Sequence, residues 1–290
     1  MAKRPTNIAA SVRARLLTLA RRTDQPFDVV LVRFVHERLL YRLSHSPHAN
    51  RFVLKGAMLL TTWLHETARG TRDLDLLGLG DPDEQRIIDI FREVLAIAAD
   101  DGVEFDLDAL RAGRIREDLE YSGVRLRGTA SLASARIAVA VDIGFGDSVE
   151  PGLQTIDYPV LLDLPAPRLR AYAPETVIAE KFQAMVALGR ANSRMKDFYD
   201  IWILTTVFNF ASDRLGRAIA ATFARRRTAI PTELPDALTP AFAEDPLKQR
   251  QWAAFIVDLG SAPADLRTVT AELAKFLMEA AAAAGGLESS

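Results

Sequence analysis

The chain of 290 residues contains no cysteine. Disulfides, thiolate nucleophiles and cysteine-bound zinc are thereby excluded, and a reducing compartment is the natural setting. Histidine is scarce too: His36, His45, His48 and His65 show no spacing that would pair two of them on a metal. Neither charge dominates. Lys and Arg number 36 against 38 Asp and Glu, a net charge of −2, so any contact with nucleic acid must come from local clusters. No apolar run is long enough to cross a bilayer, and no apolar stretch follows the basic start Met1-Ala-Lys-Arg-Pro. No membrane partner and a cytoplasmic location are therefore expected. What is present, 49% apolar and 26% charged residues, suits a folded protein with one large core or two modest ones.

Helical periodicity over 8–23 and 27–45 predicts a small helical cap ahead of the core, its first helix made basic by Arg13, Arg15, Arg21 and Arg22. A short apolar run, Phe52-Val53-Leu54, then turns at Lys55-Gly56 into a helix from Met58 to His65. Such a turn presents backbone N–H groups that accept phosphate, and glycine lets a ligand approach closely. A further helix is expected from about Pro82 to Asp100, and a hairpin from 121–130 and 134–145, joined near Thr129–Leu132. Prolines at 151, 159, 165, 167 and 174 mark the passage to a helical second half, giving domains 1–170 and 171–290. The alanine run at 280–284 is helix-prone and ends in Gly-Gly-Leu-Glu-Ser-Ser, a stretch that reads as a fraying tail.

Chemistry concentrates in Thr71-Arg72-Asp73-Leu74-Asp75-Leu76. On a strand, Asp73 and Asp75 leave the same face while Leu74 and Leu76 turn inward. Paired carboxylates of this kind either form a solvated edge or hold a divalent cation, which brings phosphate with it. In the second hairpin strand, Asp142 is the single acid on a face of small residues, Ala140 and Gly144, and is a third metal or base position. Lys181 has apolar helical neighbours, Val177, Ile178, Ala184 and Met185. It either snorkels from a core edge or meets an anion in a cleft. Asp197 and Asp200 share a face in the first turn of a later helix, where they cap the dipole or tune Lys181 by ion pairing; Lys196 with Asp200 would form a surface pair. Arg190 with Arg194 and the run Arg225-Arg226-Arg227 are solvated faces or contacts to RNA phosphates.

Taken in order, Phe52-Val53-Leu54-Lys55-Gly56-Ala57, Thr71-Arg72-Asp73-Leu74-Asp75-Leu76, Val141-Asp142-Ile143-Gly144-Phe145-Gly146-Asp147, Glu180-Lys181 and Lys196-Asp197-Phe198-Tyr199-Asp200-Ile201 resemble the AbiEii/AbiGii (MenT-like) nucleotidyltransferase toxins over about 150 residues. The resemblance implies an α/β fold: a polymerase-β-like lobe of mixed sheet, followed by a mostly helical lobe. It implies transfer of a nucleotide from an NTP to RNA, in relatives the 3′ end of tRNA. The cofactor would be Mg²⁺ or Mn²⁺ on Asp73, Asp75 and Asp142. Asp73, Asp75, Lys181 and Asp197 would be catalytic, with Lys55, Gly56, Arg72 and Lys181 on the nucleotide. Arg69 is a further phosphate candidate. A cognate AbiEi-type antitoxin encoded nearby is the expected partner, and the toxin itself is expected to be a monomer. Alternative acceptors are a small molecule or a protein hydroxyl, and a catalytically inactive nucleotide-binding module is the remaining alternative. One departure from the pattern is Gly56-Ala57 where such enzymes carry Gly-Gly or Gly-Ser, so phosphate there must lean on main-chain N–H groups.

Overall fold

The structure, a computed structural model, describes residues 7–64, 71–115, 123–257, 259 and 262–288. The chain divides into two packed units, Met1–Gly146 with Thr155–Ala171, and Asp147–Gln154 with Tyr172–Ser290. The short segment 147–154 thus belongs with the second unit rather than the first.

The first unit begins with helices α1 (Ile8–Arg22) and α2 (Phe27–Ser44). Asn7 starts α1 by accepting the Ala10 N–H at 2.9 Å, a side-chain cap that replaces a missing helical partner. Strand β1 (Phe52–Lys55) runs directly into α3 (Gly56–Leu64), followed by β2 (Leu74–Gly78) and α4 (Glu84–Leu95). Then come β3 (Val103–Phe105), β4 (Arg111–Ile115), β5 (Gly123–Leu132), β6 (Ala135–Phe145), β7 (Gln154–Asp157) and β8 (Arg168–Ala171). They form one mixed sheet in the order β3-β5-β6-β2-β1-β8-β7, with β4 also on β5. β2 lies parallel to β6 and antiparallel to β1, while β5 and β6 form the hairpin.

Strict alternation builds the core. Leu54, Leu74, Leu76, Val124, Leu126, Val141 and Ile143 are buried on one sheet face. Phe34, Val35 and Leu39 of α2 and Phe91 of α4 are equally buried, and Phe91 meets Phe52 edge-on at 5.3 Å. So α2 is a core layer and not a cap. Its polar residues are buried as well. Arg42 holds Asp101 at 2.6 and 3.1 Å, and Glu37 accepts the Leu161 N–H at 2.7 Å. α4 ends at Leu95, earlier than the periodicity suggests, and Asp101 lies beyond it on Arg42. The hairpin turn falls at Ala133-Ser134, because the β5 alternation runs on to Leu132.

The second unit is built on α5 (Pro174–Leu188), α6 (Met195–Val207), α7 (Ser212–Arg225), α8 (Pro240–Ala243), α9 (Pro246–Ile256) and α10 (Leu266–Glu288). The alanine run is helical, as its composition predicts, and the helix continues through Gly285 and Gly286 to Glu288. Ala280, Ala281 and Ala284 are buried in α10, which lies so close to α7 that a Cβ on Gly216 would stand 3.2–3.3 Å from Ala283 and Ala284. Small side chains on both helices permit that approach. Among the described residues no helix is long and apolar enough to cross a membrane.

Candidate active site

Sheet register places four charged residues in a transverse row. Lys55 is opposite Asp75, Asp75 is opposite Asp142, and Asp142 is opposite Arg125, across β1, β2, β6 and β5. Directly opposed residues project to the same side of a sheet. The row therefore reads plus, minus, minus, plus on the face away from the buried leucines. Asp73 lies one residue before β2 and is exposed.

Arg125 grips Asp142 through both carboxylate oxygens: Nε to Oδ1 is 2.5 Å, and a second, short bond joins the other nitrogen to Oδ2. The pair is partly open to solvent, 34% exposed at Arg125 and 20% at Asp142. The hydrogen bond to Asp142 raises the Arg125 pKa above its ordinary value, and the fields of Asp142, Asp73 and Asp75 add to it. Arg125 escaped the sequence reading, although Val124-Arg125-Leu126-Arg127 alternates as plainly as the strand that exposed Asp142.

Gly56 is fixed by two constraints. Its φ is +70°, the left-handed region that glycine occupies without a Cβ penalty. A Cβ at that position would also collide with the Asp75 carboxylate. Because Gly56 is the first residue of α3, this carboxylate sits at the helix N-terminus, whose partial positive charge favours an anion.

Arg72 makes an exposed 3.2 Å pair with Asp28, and Arg69 falls outside the described residues. In the second unit, Lys181 Nζ is 2.7 Å from Asp197 and 2.8 Å from Asp200, both carboxylates fully buried. Arg194 meets the other Asp197 oxygen at 2.7 Å. Asp200 is therefore no surface partner for Lys196: its carboxylate is buried and paired with the Lys181 ammonium. Arg226 also turns inward, to Gln183 at 2.9 Å and to Glu180 and Asp147 at 3.4 and 3.5 Å, so the arginine run does not present a single basic face. Among the described residues no three His, Cys, Asp or Glu side chains are gathered closely enough to hold a metal ion.

Comparison with known proteins adds the family. No curated protein matches the chain. Among solved structures, JHP933 from Helicobacter pylori is similar at 16% identity and a TM-score of 0.46, over 87% of this chain and 90% of that one. A second H. pylori structure, described as a candidate nucleotidyltransferase, is similar at 17% identity and a TM-score of 0.43, over 87% and 93%. The sequence pattern of the nucleotidyl transferase AbiEii toxins, type IV toxin–antitoxin systems, matches residues 38–278, a span that contains both the charged row and the Lys181–Asp197 pair, and the chain belongs to that family.

Proposed function

We propose that this chain transfers a nucleotidyl group from an NTP to an RNA acceptor, the 3′ end of tRNA being the expected one. The observation that carries the reading is the row Lys55–Asp75–Asp142–Arg125, with Asp73 beside it and the start of α3 beneath it. In the reaction an acceptor hydroxyl attacks the α-phosphorus and pyrophosphate leaves, so negative charge must be held at both ends of the transfer.

The donors fit a hard divalent cation. Carboxylate oxygens suit Mg²⁺ or Mn²⁺, and Asp142 already holds one cation, the Arg125 guanidinium. Asp73 and Asp75 would hold the ion, which when bound supplies electrostatic stabilisation to the phosphate oxygens. Asp142 joins the ligand set only by releasing Arg125. In its present contact it aims Arg125 across the acids, where the guanidinium neutralises phosphate charge through paired N–H donors. Lys55 and the first N–H groups of α3 grip the polyphosphate, and Ala57 makes that grip a main-chain one. The exposed Arg72–Asp28 pair is weak enough to be exchanged for phosphate. For the second unit we keep Lys181, held by Asp197 and Asp200, as a candidate phosphate-binding cation. Its 13% exposure supports that role over a wholly interior salt bridge.

Family membership implies an antitoxin partner. We assign that part to an AbiEi-type protein encoded alongside, acting on a monomeric cytoplasmic toxin. Incubation of the purified protein with α-labelled NTPs and bulk tRNA should label the RNA and release pyrophosphate, and Asp75→Ala should not. Absence of label with every NTP and every RNA overturns the reading.

A further inference from the structure

We propose that the open face of β4, β5 and β6 is the track on which a single-stranded RNA acceptor lies, with Arg111 and Arg127 clamping one of its phosphates. The inference rests on the RNA-transferase reading above and gives that reading a surface.

Arg111 of β4 stands directly opposite Arg127 of β5. Like charges placed directly across a strand pair are destabilising. Both side chains are exposed, and among the described residues neither meets a carboxylate. Arg111 instead donates to the carbonyls of Asp108 and Leu110 at 2.7 and 2.8 Å, which fixes its direction without cancelling its charge. Two arginines rooted opposite each other on an open sheet can close on one phosphate, because each guanidinium offers paired N–H donors.

The clamp adjoins the acids. Arg127 is two residues from Arg125, about 7 Å along the strand. That step is comparable to the distance between successive phosphates in an extended single strand. Beyond the clamp, Arg127 is opposite Ala140 and Thr129 is opposite Ala138, two small residues beside which a sugar–phosphate backbone can lie close to the sheet. Arg136, exposed and likewise without a carboxylate partner among the described residues, follows Ala138 on the same face. There the face opens into a hollow of about 310 Å³ bordered by Thr129, Ser131, Ser134 and Arg136. Glu104 and Asp106 line its other side and mark where a phosphate path must end. Arg111, Arg127 and Arg136 favour an anionic chain along this part of the face, and the triphosphate of an NTP is too short to reach from the clamp to Arg136.

The test uses the full chain, a short 5′-labelled single-stranded oligoribonucleotide for binding, and bulk tRNA for transfer. Arg111→Ala/Arg127→Ala should raise KM for RNA tenfold or more with little change in KM for NTP. The dependence of log affinity on log salt should lose roughly 0.7 per arginine removed. Removal of the like-charge pair should keep or raise the thermal midpoint, which separates this effect from misfolding. Arg111→Lys/Arg127→Lys should recover part of the affinity. An unchanged KM for RNA, or a rise confined to KM for NTP, in a variant whose parent labels RNA overturns the track and leaves the transferase reading intact. Labelling of tRNA by a parent chain that does not bind the oligoribonucleotide overturns the track alone, and failure of the parent chain to label any RNA overturns both.

Discussion

Arg125 clasps Asp142 across the β5–β6 pair, and its charge is the one that Asp73 and Asp75 also feel. A protein cation therefore stands where a divalent ion would compete for the same carboxylates. Arg125→Gln should tighten Mn²⁺ binding about tenfold, some 1.4 kcal/mol, because a repelling charge is removed. Titration calorimetry measures it. Since the pair is partly exposed, the stability cost should be below about 1 kcal/mol. Unchanged Mn²⁺ affinity would separate Arg125 from the cation site.

Gly56 is held to glycine by its own φ and by the Asp75 carboxylate. Gly56→Ala should cost roughly 1–3 kcal/mol in chemical denaturation, from backbone strain and the collision together. Gly56→Ala/Asp75→Gly should lose less than the sum of the single changes, since one partner of the collision is gone. Strict additivity in that cycle would show that the carboxylate does not press on residue 56.

Much of the first unit was visible in the amino-acid order, and the reason is local. The helices beginning at Ile8 and Phe27, and the alternation that buries Val139, Val141 and Ile143 while exposing Asp142, are properties of neighbouring residues. What escaped was pairing at a distance. Arg125 meets Asp142 through strand register, Glu37 is satisfied by an N–H 124 positions away, and the alanines of α10 are buried only because Gly216 lies against them. Asp200 looked like a surface acid because nothing in its own helix reveals that Lys181 reaches it. Periodicity indicates which face a residue takes, but not which partner waits there.

Lys181 compensates two fully buried carboxylates. Lys181→Met should destabilise the protein by about 3–5 kcal/mol, as expected when one partner of a buried ion pair is removed. Replacing both acids in the same background, Asp197→Asn with Asp200→Asn, should restore part of the loss. Urea unfolding decides this, and a loss below about 1 kcal/mol for Lys181→Met would place these charges in contact with water.

Two buried groups on α2 give opposing pH dependences. Burial raises the Glu37 pKa to about 7, against the opposing pull of Arg38 and Arg33, and lowers that of His36 to about 4. The folded state holds the Glu37 proton, so this contribution is complete at acid pH and is lost as pH rises through about 7. The folded state sheds the His36 proton, so that contribution is complete above the ordinary histidine range and is lost as pH falls towards about 4. Between the two, the slopes cancel. Glu37→Gln should unmask the histidine, and stability should then fall with acidification by about 1.4 kcal/mol per pH unit. His36→Leu should give the opposite slope. Denaturant midpoints across this window check both signs, and parallel profiles for the two variants would contradict the assignment.

The central claim is that the paired acids at the edge of α3 support nucleotidyl transfer to RNA. Its most direct measurement is the label passed from an α-labelled NTP to tRNA by the parent chain and by Asp75→Asn, in the presence of Mg²⁺. We expect RNA labelling with matching pyrophosphate release from the parent, and a loss of at least about a hundredfold in the folded variant. Equal labelling by both proteins, or none by the parent with any NTP and any RNA, would contradict the account.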